Sequence, residues 1–180
     1  MKYCLFLVLL ISISCYTQNE RIVWDYCKGE GLTDAGAAAL MGNLFAESGI
    51  QSVIYENAYH PSIGLSNQEY VDKTNSGEYT NFVHDSVGFG LAQWTYWSRK
   101  EALLGHCRGN IGDMYCQLEY LFIELKGTFS RVLSNLKSSD DLYSLTVDVL
   151  CNFENPTDKS DYVKNLRYGY AQNYYNTFAG

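Results

Sequence analysis

The chain has 180 residues, of which 47% are hydrophobic and 15% aromatic, a composition that excludes intrinsic disorder and suits one globular domain. It carries 13 basic and 20 acidic residues, which gives a net charge of −7 and a pI of about 4.9. So acidic a chain is poorly suited to binding nucleic acid, and anionic surfaces repel it at neutral pH.

The first fifteen residues have the pattern of a targeting segment. Lys2 precedes the apolar run CLFLVLLISI, from Cys4 to Ile13, which has the length of a signal-peptide core and is too short to cross a bilayer. We predict a secretory signal peptide over residues 1–15, cleaved between about residues 14 and 18. A buried first helix and a lipid-attachment site at Cys15 are the alternatives. Without this segment 12 basic and 20 acidic residues remain, a net charge of −8.

Four cysteines follow the targeting segment: Cys27, Cys107, Cys116 and Cys151. An even number of cysteines in an exported chain favours two disulfides, and four cysteines allow three pairings. Because Cys107 and Cys116 flank one short connection, we favour a bond between them together with a Cys27–Cys151 bond. Free buried thiols are the alternative.

Helix signals dominate the remainder of the chain. In chain order, the predicted helices are Glu20–Lys28, a second capped by Thr33, one from the Ser66–Glu69 capping box to Gly77, one from a Ser98–Glu101 capping box to Cys107, one capped by Asp113, then Thr128–Leu136, Asp141–Phe153 and Asp158–Phe178. Irregular structure, with room for a small hairpin, is predicted for residues 50–64 and 77–94. The predicted class is mainly α, with a loop-rich insert between the second and fourth helices.

An acid stands at the end of the predicted second helix. Residues 41–50 read MGNLFAESGI, which places Glu47 after an apolar run and directly before Ser48 and Gly49. The helix dipole is negative at this end, and apolar neighbours such as Phe45 desolvate a charge, so both effects favour the protonated carboxyl. A general acid needs to keep its proton near neutral pH. A solvated glutamate at a helix end is the alternative.

A second motif, GFGLAQWT at residues 88–95, combines glycines, an amide and aromatic rings. Gly88 and Gly90 permit tight turns and the close approach of a ligand. Sugars are bound by amide groups and flat aromatic faces, because each sugar ring has polar edges and apolar faces. The predicted substrate-binding residues are Ser48, Gly88, Phe89, Gly90, Gln93, Trp94 and Trp97.

The Glu47-Ser48 helix end, followed by a Gly-x-Gly-Leu-x-Gln loop, resembles the lysozyme superfamily, in particular goose-type lysozymes and lytic transglycosylases. The closer resemblance is to the phage tail lysozyme family, and it covers roughly Val23 to Phe178. The segments that carry it are VWDYCKGEGLTDAGAAALMGNLFAESG, YTNFVHDSVGFGLAQWTYWSRKEAL, GDMYCQLEYLFIEL, FENPTDKS and the Tyr-rich end. Two features depart from the family: cysteines stand at apolar or small positions, and Asn155 stands where an arginine is usual.

The resemblance implies an α+β lysozyme-like fold, with one helical domain over residues 20–179 whose loop insert forms a substrate cleft. It also implies cleavage of the β-1,4 bond between N-acetylmuramic acid and N-acetylglucosamine in peptidoglycan, with Glu47 as the catalytic acid. In goose-type enzymes an aspartate shortly precedes the glycine loop, which makes Asp85 the candidate second carboxylate, able to act as base towards water. Its rivals in the insert are Glu56, Glu69, Asp72 and Glu78.

Two other functions remain open at this point. Without a second acid, a lytic transglycosylase would cleave the same bond through the substrate's own hydroxyl, and a wall-binding protein would keep the cleft without turnover. His60, His84 and His106 fit neither a cysteine–histidine peptidase nor paired metal ligands. We therefore expect a secreted antibacterial monomer, extracellular or in a digestive or phagosomal compartment, whose partner is the bacterial wall. We expect no cofactor, metal, nucleic acid or membrane span.

Overall fold

The computed structural model describes residues 16–56 and 61–180. The α-helices of this part are α1 (Gln18–Gly29), α2 (Asp34–Ser48), α3 (Asn67–Ser76), α4 (Trp97–Cys107), α5 (Met114–Lys126), α6 (Ser130–Ser138), α7 (Leu142–Val149) and α8 (Asp161–Phe178). A 3-10 turn at Pro61–Ile63 and a π-helical turn at Leu150–Glu154 join them. The predicted mainly α class is confirmed. The predicted signal peptide and His60 lie outside the described residues, within which no helix is long and apolar enough to cross a membrane.

Helix α2 is the centre of the fold. Every residue from Ala35 to Leu44 is buried, which is the pattern of a helix inside a core rather than on a surface. Helices α7 and α8 pack most extensively against it, and α1 and α6 add further contacts. Thr33 caps its start by accepting a hydrogen bond from the N–H of Gly36, and Gly49, with φ of +62°, ends it in the left-handed conformation.

Helix α8 lies very close to α2 where Gly42 faces Ala171. A Cβ added to Gly42 would stand 2.6 Å from the backbone nitrogen of Ala171, a distance that non-bonded atoms do not reach. Glycine therefore sets the separation of the two helices here. Because Arg167 lies about one turn before Ala171, the close approach also brings its side chain to the end of α2.

Local capping signals predicted several helix starts correctly. Ser66 and Glu69 form both hydrogen bonds of the predicted capping box at α3, and Asp113 accepts a hydrogen bond from the N–H of Cys116 at the start of α5. Gly77 adopts the left-handed conformation that ends α3. These signals are readable from sequence because each needs only residues three positions apart.

The predicted capping box at Ser98 is wrong. Tyr96 is the N-cap of α4, two residues before Ser98, and the helix begins at Trp97, because the backbone N–H groups of Arg99 and Lys100 bond to the carbonyl of Tyr96. Ser98 therefore lies inside the first turn, where its side chain cannot cap the helix.

Helix boundaries near the C-terminal part of the chain also differ from prediction. The carboxylate of Asp158 accepts a hydrogen bond from the N–H of Ser160 in a turn that precedes α8, so this helix begins at Asp161. The predicted helix Asp141–Phe153 changes from α to π after Val149. Turns of π-helix are rare and often occur at functional sites.

The insert between α2 and α4 contains α3 and irregular segments, and the predicted hairpin is reduced to one contact. Strand pairing within the described residues consists of a single antiparallel bridge between Tyr55 and Phe89. Backbone hydrogen bonds on either side of the bridge join residues 54–56 to residues 88–90. This pairing holds the glycine loop against the segment that follows α2.

One predicted disulfide is present and the other is absent. Cys107 and Cys116, with Cα atoms 5.7 Å apart, join the end of α4 to the start of α5. Cys27 and Cys151 are both free, which corrects the predicted bond between them. Cys27 is fully buried on α1, which packs on α2 and α5, whereas Cys151 is half-buried in the π-helical turn that packs on α7. Burial raises the pKa of the Cys27 thiol to about 12.

Candidate active site

A cleft of about 620 Å³ separates the end of α2 and the glycine loop from the π-helical turn. Its walls include three carboxyl groups, those of Glu47, Glu56 and Glu154, and one cationic side chain among the described residues, Arg99. Gln93 and other residues of the glycine loop complete the lining. The cleft has the size of a small-molecule or oligosaccharide subsite and an acidic character.

Arg167 fixes the orientation of Glu47 in this cleft. Its Nη2 donates to Oε1 of Glu47, and its Nη1 lies 3.4 Å from the backbone carbonyl and 3.2 Å from Oδ1 of Asn43. The side chain of Arg167 is 8% exposed and that of Glu47 is 20% exposed, so the carboxyl group keeps one side open to the cleft. This contact was not predicted, because Arg167 lies 120 positions after Glu47 and is one of two basic residues in a Tyr-rich helix, the other being Lys164.

Asn43 is the buried residue that holds Arg167 in place. Its Nδ2 donates to the backbone carbonyls of Ala39 and Thr146, at 2.9 and 3.1 Å, while its Oδ1 accepts from Arg167. The amide therefore links α2, α7 and α8 directly below Glu47. Both ends of the side chain are satisfied, as burial requires.

Glu154 is a cleft carboxyl that the sequence analysis missed. It is the last residue of the π-helical turn, and its Oε1 is buried with no hydrogen-bond partner in the described part of the chain. Burial, followed by the nearby charge of Glu47, raises its pKa well above the usual range, while Arg99 and Arg167 oppose the shift. The environment of Glu154 therefore favours the protonated carboxyl.

A sequence signal for Glu154 was available. Glu154 stands at a helix end and is followed by Asn155 and Pro156, just as Glu47 is followed by Ser48 and Gly49. Each carboxyl group thus comes at the point where a helix stops, and the two helix ends meet at one cleft. The segment FENPTDKS, which contains Glu154, is one of those that carry the family resemblance, but Glu154 was not among the predicted site residues.

The predicted second carboxylate, Asp85, lies away from the cleft in a buried network. Its side chain is 3% exposed and forms an ion pair of 2.5 Å with Lys100, whose side chain is completely buried. Oδ1 also accepts from the N–H of Val87, and Oδ2 accepts from the hydroxyl groups of Tyr70 and Tyr79, at 2.6 and 3.1 Å. Because protein donors occupy both oxygens, this environment does not fit the expected base role. It fits a structural role in anchoring the glycine loop.

Among the rival acids, Glu56 is the one that reaches the cleft. Glu69, Asp72 and Glu78 are exposed, and each is bonded to a residue of α3 or its cap. Glu56 follows the bridge residue Tyr55, so the pairing with the glycine loop also positions its backbone. Glu56 is therefore the candidate for a second carboxylate on the insert side.

The predicted sugar-binding residues divide into exposed and buried sets. Gln93 lines the cleft, with Nε2 donating to the carbonyl of Gly90 at 3.0 Å. Trp97 is 47% exposed beside Tyr96, which is 63% exposed and itself lines the cleft. Their ring centroids are 6.1 Å apart, so together they form an aromatic surface at the cleft edge. This surface is suited to the apolar face of a sugar ring.

Three predicted binding residues are part of the core instead. Trp94 is fully buried and its Nε1 donates to Glu124 at 2.8 Å, and Phe89 is also fully buried. Ser48 is 4% exposed, and its hydroxyl donates to the carbonyl of Leu44. These side chains support the cleft walls without reaching its surface, which corrects their predicted role in direct contact.

Gly88 and Gly90 are needed for close packing of the loop. Gly90 has φ of +71°, and a Cβ added there would stand 2.6 Å from Oε1 of Gln117. Gln117 is fully buried, accepts from the N–H of Leu91 and donates to the carbonyls of Ser52 and Ile111. A Cβ on Gly88 would similarly meet the side-chain oxygen of Gln93 at 2.7 Å. Both glycines therefore act through the backbone, as buried parts of the loop.

The described residues contain no cluster of histidine, cysteine and acidic side chains that could hold a metal ion. A comparison with curated proteins gave no match. The family model for phage tail lysozyme matches residues 18–178, from the first residue of α1 to the last residue of α8. Because this match covers most of the chain, the protein belongs to the phage tail lysozyme family.

Proposed function

We propose that this protein is a muramidase that cleaves the β-1,4 bond between N-acetylmuramic acid and N-acetylglucosamine, with Glu47 as the general acid. Membership of the phage tail lysozyme family indicates a lysozyme-like enzyme that acts on peptidoglycan. The observation that carries the finer proposal is the placement of Glu47, which lies in the last turn of α2, lines the cleft and is held there by Arg167.

The reaction begins with transfer of a proton from Glu47 to the glycosidic oxygen as the bond from that oxygen to C1 breaks. The carboxylate that remains on Glu47 is stabilised by Arg167, which carries its positive charge throughout. A water molecule then forms the new bond to C1 and gives its proton to a base. Glu56 is the proposed base, because it lines the same cleft from the insert. A separation of about 6.5–9.5 Å between the carboxyl groups is typical of inversion.

A lytic transglycosylase is the second candidate, and the position of Asp85 favours it. If no carboxylate activates water, the C6 hydroxyl of the muramic acid attacks C1 and gives its proton to the carboxylate left on Glu47, and a 1,6-anhydro product forms in place of a reducing end. The buried ion pair of Asp85 with Lys100 removes one of the expected bases from the cleft. A wall-binding protein without turnover is the third candidate, and an oriented Glu47 speaks against it.

Analysis of the muropeptides released from purified walls separates these functions. Wild-type protein and the variants Glu47→Gln and Glu56→Gln are incubated with walls, and the products are identified by mass spectrometry. We expect the wild-type protein to release products with reducing muramic acid ends, and we expect Glu47→Gln to release none. Anhydro ends would assign a transglycosylase, and binding without any release would assign a wall-binding protein. Retained hydrolysis by Glu56→Gln would remove Glu56 as the base.

We also propose that the protein is exported. The apolar run before residue 15 and the Cys107–Cys116 bond support this proposal, because disulfides persist mainly in oxidising compartments. Mass spectrometry of the chain recovered from the medium of a eukaryotic secretion host tests it. The expected mature N-terminus lies between about residues 14 and 18, and retention of the whole chain inside the cell would contradict export.

A further inference from the structure

Glu154 lines one cleft with Glu47 of α2 and Arg99 of α4. Each of these two side chains is paired with a residue of another helix, Glu47 with Arg167 of α8 and Arg99 with Glu124 of α5. Each guanidinium already has a carboxylate partner: Arg99 donates two hydrogen bonds to Glu124, at 2.6 and 2.8 Å, and Arg167 contacts Glu47. Glu154 is thus the third carboxyl group beside two cations that are already neutralised.

The environment of Glu154 is unfavourable for an ionised group. Its Oε1 is buried and receives no hydrogen bond from the described residues. Burying an ion without a partner is strongly unfavourable, and a bound proton removes that penalty. A protonated carboxyl group also has an O–H to donate. Arg167 contacts Oε1 of Glu47, and no side chain of the described residues donates a hydrogen bond to Oε2 of Glu47.

We propose that Glu154 is a positioning residue that shares one proton with Glu47, so that the two carboxyl groups act as a pair in the resting enzyme. Arg167 stabilises the carboxylate left after proton transfer, but it gives Glu47 no help in holding a proton beforehand. A neighbouring carboxyl group gives that help, since two close acids resist losing both protons. This inference rests on the proposed role of Glu47 as general acid.

The proton balance of the pair follows from this arrangement. The shared proton leaves through Glu47 to the glycosidic oxygen, and the pair is then doubly ionised beside Arg99 and Arg167. Water adds to C1 and gives its proton to the base. The base releases that proton to solvent, and the pair takes one proton from solvent. One water molecule is added across the glycosidic bond, and the enzyme returns to its starting state.

The pH profile of Glu154→Gln tests the pair. The variant keeps the shape of Glu154 and a donor group but cannot carry the shared proton. We expect the alkaline limb of its lysis profile to move towards acid by at least about one pH unit, which lowers the rate at neutral pH about tenfold. The rate at acidic pH should stay near that of wild type, with KM unchanged. The matched control is Glu101→Gln, at an exposed acid of α4 outside the cleft.

If Glu154 had a purely structural role, Glu154→Gln would lower the rate by the same factor at every pH, and that result would overturn the proposal. A lower melting temperature does not affect this comparison, because each profile is normalised to its own maximum below the melting range. Glu154→Asp provides a second comparison, since it keeps a carboxyl group. Its alkaline limb should lie between those of wild type and Glu154→Gln, and a limb equal to that of Glu154→Gln would also overturn the pair.

Carbon-13 NMR titration of the glutamate carboxyl groups tests the coupling without reference to activity. In wild type, burial and the charge of Glu47 raise the pKa of Glu154, so Glu47→Gln should lower the pKa of Glu154. An unchanged titration of Glu154 in that variant would overturn the inference. If the wild-type protein fails to cleave walls while the coupling is observed, the proposed function fails and the coupled pair stands.

Discussion

Arg167 and Glu47 are separated by 120 positions in the sequence, yet their side chains form one ion pair at the cleft. The same guanidinium bonds to Asn43, one turn earlier on α2. The contact depends on the close packing of α8 against α2, and it also determines where the proposed acid points. One ion pair therefore contributes both to the packing of α8 on α2 and to the orientation of Glu47. Variants of Arg167 and of Glu47 can distinguish these two contributions.

We expect Glu47→Gln to lower the lysis rate by about 10²–10⁴-fold, the usual contribution of general acid catalysis. The amide keeps the shape of the side chain and an oxygen for Arg167, but it has no proton to transfer. Sedimentation with purified walls should show binding near the wild-type level, and Glu101→Gln serves as the control for loss of one charge. A residual rate within a few fold of wild type would remove Glu47 from the role of acid.

Arg167→Met should lower both stability and activity. Removing one partner of a buried pair leaves the other uncompensated, at a cost of about 3 kcal/mol. For a chain of this size we expect the melting temperature to fall by about 6–12 °C. The control on the same helix is Lys164→Met, whose partner Asp161 is 87% exposed and whose ion pair contributes little. Equal melting temperatures for the two variants would contradict a structural role for Arg167.

Two glycine substitutions should have opposite effects on stability. Gly42→Ala places a Cβ against the backbone of α8 and should destabilise the protein by about 1–3 kcal/mol, because the helices must move apart. Lysis should fall as well, since Arg167 moves with α8. Gly169→Ala meets no atom within 4 Å and should stabilise α8 by about 0.5–1 kcal/mol. Urea unfolding of both variants checks the contrast, and a Gly42→Ala variant as stable as wild type would show that α8 is not in tight contact.

Much of the helical fold was predictable because helix caps are local. Thr33 and Asp113 each cap a helix through a backbone N–H three residues away, and the sequence alone contains both partners. The place of Glu47 in the cleft was predictable for a related reason, because a helix end, a following glycine loop and a family resemblance coincide in the sequence. The position of the cleft followed from these two motifs.

The rest of the site depends on contacts between distant segments. Trp94 resembled a sugar platform in the sequence, but Glu124, 30 residues away, accepts its N–H and holds the ring in the core. Asp85 resembled a base in the sequence, but in the fold it forms an ion pair with Lys100, which lies 15 residues later in the chain. Both residues have polar groups that suit either a ligand or the protein interior, and only tertiary packing decides between the two.

A double variant separates the structural role of Asp85 from a catalytic one. Asp85→Asn leaves Lys100 buried and charged, and Lys100→Met leaves Asp85 in the same state, so each should lose about 3–5 kcal/mol. Burial already lowers the pKa of Lys100, against the effect of Asp85. The double variant should lose less than the sum of the single variants, and it should retain lysis well above that of Glu47→Gln. A folded but inactive double variant would return Asp85 to the role of base.

The lysis rate should be highest on the acidic side of neutrality, and at neutral pH moderate salt should raise it. Because the pKa of Glu154 is raised, its carboxyl group is protonated below that pKa, and the rate should fall as the pH rises through it. The chain also carries a net charge of −7, and the charged cleft residues are Glu47, Glu56, Glu154 and Arg99, with Arg99 already paired to Glu124. Anionic wall polymers are therefore repelled at neutral pH.

Salt screens this repulsion over a Debye length of about 8–10 Å, so moderate salt should raise the rate at pH 7. Near the pI of about 4.9 the repulsion disappears, and the effect of salt should disappear with it. Initial lysis rates across the pH range at two ionic strengths test both statements. A neutral-to-alkaline optimum with inhibition by salt would mean that local cationic groups control the encounter with the wall. Salt screens the attraction of a basic surface to anionic polymers, just as it screens the repulsion of an acidic surface.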